Sequence, residues 1–162
     1  MATTVKECNI KSVLEVVEDL SKSTLSDDQV THNLEDVIKL HSGSTPDAEL
    51  VYSGNVALTT GAATLDLKDI TNAEGDTIVT EGKTIRAIKV KATSTNANAL
   101  TLTEGASNGY ELFGDGWTIA LEAGDHFLAY LGSNAPAISD TVKTIDLSGT
   151  GAQSVDVIIV FG

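Results

Sequence analysis

One cysteine, Cys8, occurs in 162 residues, so no disulfide can form within the chain. Disulfide-stapled secreted scaffolds lose their basis, and a reducing compartment, or an assembly that needs no covalent staple, fits better. Basic residues are also few: 10 against 23 acidic, a formal charge of −13. A groove following nucleic-acid phosphates would have to be built against that field, so no nucleic-acid partner is expected. No stretch approaches the roughly 18 apolar residues of a membrane span, and no basic segment precedes an apolar one as in a signal peptide. Met1-Ala2-Thr3-Thr4 reads as the start of a soluble product, with no membrane partner.

Catalytic patterns are missing as well. His32, His41 and His126 form neither H-x-H nor H-E-x-x-H, and each reads as a turn or surface residue. Cys8 has no adjacent base and reads as a small, partly buried side chain. Ser107 and Ser139 lie outside any Gly-x-Ser-x-Gly turn. Gly105-Ala106-Ser107-Asn108-Gly109 and Gly149-Thr150-Gly151 lack the Lys-Ser/Thr of a phosphate loop and read as turns. Asn72, Glu74 and Asp76 alternate as Ca²⁺ ligands can, but the late bidentate Glu of a calcium loop is absent. Asp27-Asp28 and Glu35-Asp36 read as solvated faces. Glu111, Asp115, Glu122 and Asp125 surround Trp117 in a way that resembles a sugar site; the plainer reading is a core tryptophan beside acidic turns. No catalytic, cofactor-binding or metal-binding residue is assigned, and no cofactor.

What the chain does contain is alternation. Ala63–Leu67, Ile85–Lys91, Leu100–Thr103 and Val155–Val160 are strand-length runs, most with polar residues at a spacing of two, separated by Gly, Asn, Asp or Pro turns. Further strands are expected at Val51–Leu58, at Gly61–Ile70 pairing with it or its neighbour, at Glu111–Phe113, Trp117–Leu121, Phe127–Leu131 and Thr144–Leu147. Ile85–Lys91 is the best candidate for a central strand. Ser44-Thr45-Pro46-Asp47, Asn72–Asp76 and a hairpin-like Ala123-Gly124-Asp125 are the turns. About eight strands at intervals of roughly 8–14 residues predict an all-β, antiparallel β-sandwich, jelly-roll-like, in one domain with one core. Lys83, Arg86, Lys89 and Lys91 form the one local basic cluster. Lys89 and Lys91 alternate with Ile88 and Val90 as on a solvated strand face, with contact to an acidic partner surface as the second reading.

The division expected is an amino-terminal segment, 1–45, contributing additional strands or an attachment element, and a β-sandwich domain, 46–162. In the first segment Val13, Leu14, Val16, Val17 and Leu20 would line a helical face, as would Val30, Leu34, Val37 and Ile38, with Ser26 and Gln29 spaced as a capping box. Ile10, Leu14, Val16 and Leu20 equally fit period two, and the β-branched content favours strands. Both readings of residues 10–40 stand.

Ala62-Ala63-Thr64-Leu65-Asp66-Leu67, Asn96-Ala97-Asn98-Ala99-Leu100, Gly105–Tyr110 and Lys143–Gly151 resemble the small β-sandwich structural proteins encoded among the virion genes of tailed bacteriophages. The similarity is one of texture over residues 45–162, and the first 45 residues depart most from it. The resemblance implies a non-enzymatic virion component, a capsid decoration or minor head or tail protein, made in the host cytoplasm. Its partners would be other virion proteins such as capsid or tail proteins, and it would be a homo-oligomer assembled by strand edges or by side-chain surfaces. Two other functions compete. A carbohydrate-binding module would need Tyr110 or Trp117 exposed for stacking; a small jelly-roll metalloenzyme would need His126 gathered with carboxylates from adjacent strands.

Overall fold

The computed structural model describes residues 5–20 and 28–162, with the side chains of 18–20, 28–30 and His32 left out of the description. Met1–Thr4, and the Ser26 and Asp27 of the expected capping box and acidic turn, lie outside the described residues. Among the described residues, ten strands form three sheets.

Eight of them make the sandwich. They are β3 (Leu50–Ala57), β4 (Ala62–Asp66), β5 (Ile85–Ala92), β6 (Leu100–Glu104), β7 (Thr118–Leu121), β8 (His126–Tyr130), β9 (Thr144–Ser148) and β10 (Ser154–Phe161). One sheet has the order β3-β10-β5-β8 and the other β4-β9-β6-β7, every pairing antiparallel. Successive strands lie in opposite sheets, except β6 and β7, which pair directly. That order is a jelly roll. Ile85–Lys91 does become an inner strand, between β10 and β8.

Alternation drives this arrangement. In β10, Val155, Val157 and Ile159 are buried while Asp156 and Ile158 face out. They meet Leu65, Ile145, Leu147, Leu100 and Leu102 from the opposite sheet in a single core. Each fully buried core side chain of this size contributes about 1.5–3 kcal/mol relative to exposure. Among the described residues, no buried side-chain nitrogen or oxygen lacks a hydrogen-bond partner. Buried Thr80, for instance, donates to the Leu67 carbonyl at 2.7 Å.

Three expectations change. Gly61–Ile70 is a strand only to Asp66, whose carboxylate accepts from the Lys68 amide and turns the chain; its partner is β9, in the sheet opposite β3. Glu111–Phe113 is not a strand, because Leu112 makes a single isolated bridge within a tight loop. Ala123–Asp125 does turn, but it carries the chain from one sheet to the other and joins no hairpin. The Gly61 turn is likewise close-packed. With φ of +87°, Gly61 would place a Cβ 2.6 Å from the Gly149 carbonyl, so only glycine fits.

The remaining sheet is the ribbon β1 (Cys8–Leu20) and β2 (Asp28–Leu40), antiparallel in unbroken register from Cys8↔Leu40 to Leu20↔Asp28. These segments are strands, not helices. β-branched side chains fit a pleated ladder better than a helix, and the Cys8–Leu40 end of the ribbon packs on the sandwich. There Ile10 and Leu40 bury against Ala48, Ala87 and Val160, with Val5, Cys8 and Ile38 beside them. Backbone bonds from Val5 to the Glu49 carbonyl and from Ser42 to the Val5 carbonyl fix this root to β3.

Candidate interaction surface

The side chains with chemical potential are dispersed. His41 sits in the turn after β2, its Nδ1 2.9 Å from the Ser42 carbonyl. His126 is exposed on β8, and position 32 lies on β2 opposite Val16. Cys8 packs at the ribbon root, where burial pushes its thiol pKa up, away from the reactive thiolate. The Asn72 side chain accepts the amides of Glu74 and Asp76, so its oxygen closes its own loop. Asp125 similarly accepts the Glu122 amide. Among the described residues, no three His, Cys, Asp or Glu side chains converge as metal ligands would.

The aromatics are structural. Tyr110 is wholly buried, and its hydroxyl donates to the Pro136 carbonyl at 2.8 Å while accepting from the Ile85 amide at 3.2 Å. Burial pushes its pKa up to about 12. Trp117 is buried beside it, with Nε1 donating to the Tyr110 carbonyl at 2.8 Å. Phe113 meets the tryptophan edge-on at 5.8 Å. Neither ring expected to stack on a sugar is available for stacking.

The basic cluster divides into two halves. Arg86 pairs with Asp47 at 3.0 Å and donates to the carbonyls of Asp47 and Gly132; Lys83 pairs with Glu49. Both therefore brace the segment linking β2 to β3. Lys89 and Lys91 are exposed on β5 and, among the described residues, have no ion-pair partner.

The two outer faces of the sandwich differ. The face of β4-β9-β6-β7 is polar, with Thr101, Thr103 and Thr118 beside a Thr64 hydroxyl that donates to Asp146 at 2.6 Å. On β3-β10-β5-β8 the strand register aligns Ser53, Ile158, Lys89 and Leu128 in one row and Val51, Val160, Ala87 and Tyr130 in the next. Val160 and Ala87 seat the ribbon root, while Val51, Ile158, Leu128 and Tyr130 remain 37–46% exposed. Grooves flank the root. One of about 260 Å³ is bounded by Ile10, Lys89, Leu128 and Ile158; a larger one lies toward Val51.

Lys11, Ser12 and Val13 line a further groove with Lys89, His126 and Leu128; beyond them the described side chains of the ribbon are exposed. Leu14 is 63% and Leu34 75% exposed, and the register places them directly opposite each other. Val13, Val16, Val17 and Val37 are about half exposed. A two-stranded ribbon alone is marginally stable in water, and clustered exposed apolar surface makes this ribbon the candidate interaction surface. Sequence reasoning flagged Lys89, Lys91 and the ribbon's apolar residues but not Ile158 or Leu128. The available signal was Ile158 itself, an isoleucine that shares the outward face of its strand with Asp156 while Val155, Val157 and Ile159 point inward. No protein-family profile and no curated protein sequence matches this chain.

Proposed function

We propose that the chain is a non-enzymatic structural protein of a tailed-phage particle, a capsid decoration or minor head or tail component that works through protein–protein contacts. The observation that carries this reading is the apolar ribbon projecting from the jelly roll. Such an arm has no use in a solitary molecule and a direct one in an assembly, where a neighbour covers it. The phage-like texture of residues 45–162 supplies the setting, with other virion proteins and further copies of the chain as partners.

Mass analysis of purified particles tests the proposal: the chain is expected at a fixed stoichiometric copy number, and its absence overturns the reading. Deleting residues 1–45 tests the arm. The truncated chain is expected to fold, reported by unchanged emission from its one tryptophan, Trp117, and to fail to occupy the particle. Occupancy at full copy number would refute attachment through the arm.

A further inference from the structure

We propose that the arm of one molecule docks, through its Leu14–Leu34 face, on the outer face of the β3-β10-β5-β8 sheet of a second copy, at Ile158, Lys89 and Leu128. The inference rests on the arm's being an attachment element but needs no virion.

The first support is continuity of one ribbon face. Cys8, Ile10, Ile38 and Leu40 share the face that seats the root. Period two carries that face outward, past the polar pair Ser12–Asp36, to Leu14, Leu34 and Val16. One face is therefore built to lie on a sheet near the root and continues with the same chemistry where no sheet lies beneath it. Leu14 and Leu34 stay exposed rather than folding back onto their own sandwich. The ladder is unbroken over 13 pairs, about 43 Å of strand, with no bulge at which to reverse.

The second support is complementarity carried within the same chain. Residues 12–36 contain seven carboxylates against one lysine, Lys22; by register, positions 18, 28 and 36 share the Leu14–Leu34 face, whereas 15, 19 and 35 lie on the other, with Glu35 paired to Lys11 at 3.2 Å. The sheet face offers exposed Ile158 and Leu128 on either side of Lys89, with Lys91 in the adjoining row between Asp156 and His126. Lysine stems can lie along the apolar rows while their ammonium groups meet the arm's carboxylates. In a chain of net charge −13, generic self-association is repelled, so matched patches set which contact forms. The contact joins different patches on the two molecules, so it closes as a dimer by reciprocal exchange of arms or propagates to a ring or an open chain.

The test is sedimentation of the purified full chain with two variants. Leu14→Ser/Leu34→Ser spoils the arm and Lys89→Glu/Lys91→Glu spoils the face, each judged folded by unchanged Trp117 emission. The intact chain is expected to oligomerise, with the apparent dissociation constant rising at least tenfold between low salt and about 0.5 M salt as the charged pairs are screened. Each variant alone is expected to be monomeric. A mixture of the two is expected to stop at a heterodimer, because one sound arm meets one sound face. A monomeric intact chain, oligomers that survive either pair of substitutions, or a mixture that yields no heterodimer would overturn the proposal. Particle mass analysis remains a separate question, so this contact and the virion reading fail independently.

Discussion

The sandwich and the arm are written in the same alternating pattern, yet only one of them has a core. In β10 every inward residue meets a facing sheet. In β1 and β2 the corresponding residues meet the sandwich at Ile10, Ile38 and Leu40, then run out into solvent at Leu14 and Leu34. Period two specifies that a strand has an apolar face. What covers the face is decided elsewhere in the chain, or in another molecule.

The sharpest way to break this comparison is to remove matched apolar groups from both regions. Phe161→Ala empties a fully buried position and is expected to cost about 3–5 kcal/mol, read from denaturant unfolding followed at Trp117. A loss below 1 kcal/mol would mean the core is not the unit of stability. A smaller effect is expected from Tyr110→Phe, which keeps the ring but removes the hydroxyl held between Ile85 and Pro136. It leaves a buried amide without its acceptor, at about 1–3 kcal/mol.

Acid loosens the sandwich more gently. Burial raises the pKa of Asp66, but hydrogen bonds from Lys143 and the Lys68 amide outweigh it and hold the carboxyl below its usual value; Lys68 does the same for Asp140. A carboxyl whose folded pKa is depressed contributes stability that is present above its unfolded pKa, near 4, and is lost as pH falls through the folded value. The urea midpoint is therefore expected to hold from pH 7 to about 5 and to decline below 4. Asp66→Asn is expected to make that decline shallower, and an unchanged slope would remove Asp66 from the account. The smallest effect belongs to the arm: Leu34→Ala, on a residue 75% exposed, is expected to change monomer stability by less than about 0.5 kcal/mol. A loss as large as that of Phe161→Ala would show that the arm packs on its own sandwich after all.

Much of the fold was legible because its signals are local. The alternation of β5 and β10, the Ser44–Asp47 turn and the Asn72 loop each depend on residues a few positions apart. Sheet membership was not legible, since a short turn such as Ala123–Asp125 serves equally well for a hairpin or for a crossing between sheets. Leu112 misled for a related reason, as one buried leucine in a tight loop has the same local sequence as a strand centre. The proposed docking surface was harder still. Ile158, Lys89 and Leu128 come from three strands and become neighbours only through the jelly-roll order, whereas Leu14 and Leu34 already stood out as apolar residues in the amino-terminal segment.

The position of β10 has a consequence for how the molecule comes into being. It is the last strand in chain order and an inner strand of its sheet, and it is the sole in-sheet neighbour of β3. During synthesis β3 must wait, unpaired, until residues 154–161 have been made. A ribosome paused before Ser154 would hold a chain whose β4-β9-β6-β7 sheet can already form, while β3 and β5 keep open edges and the core lacks Val155, Val157, Ile159 and Phe161. Folding governed by contacts this distant in sequence is slow, and the interval before closure is when the nascent chain is most exposed to wrong pairing with its neighbours.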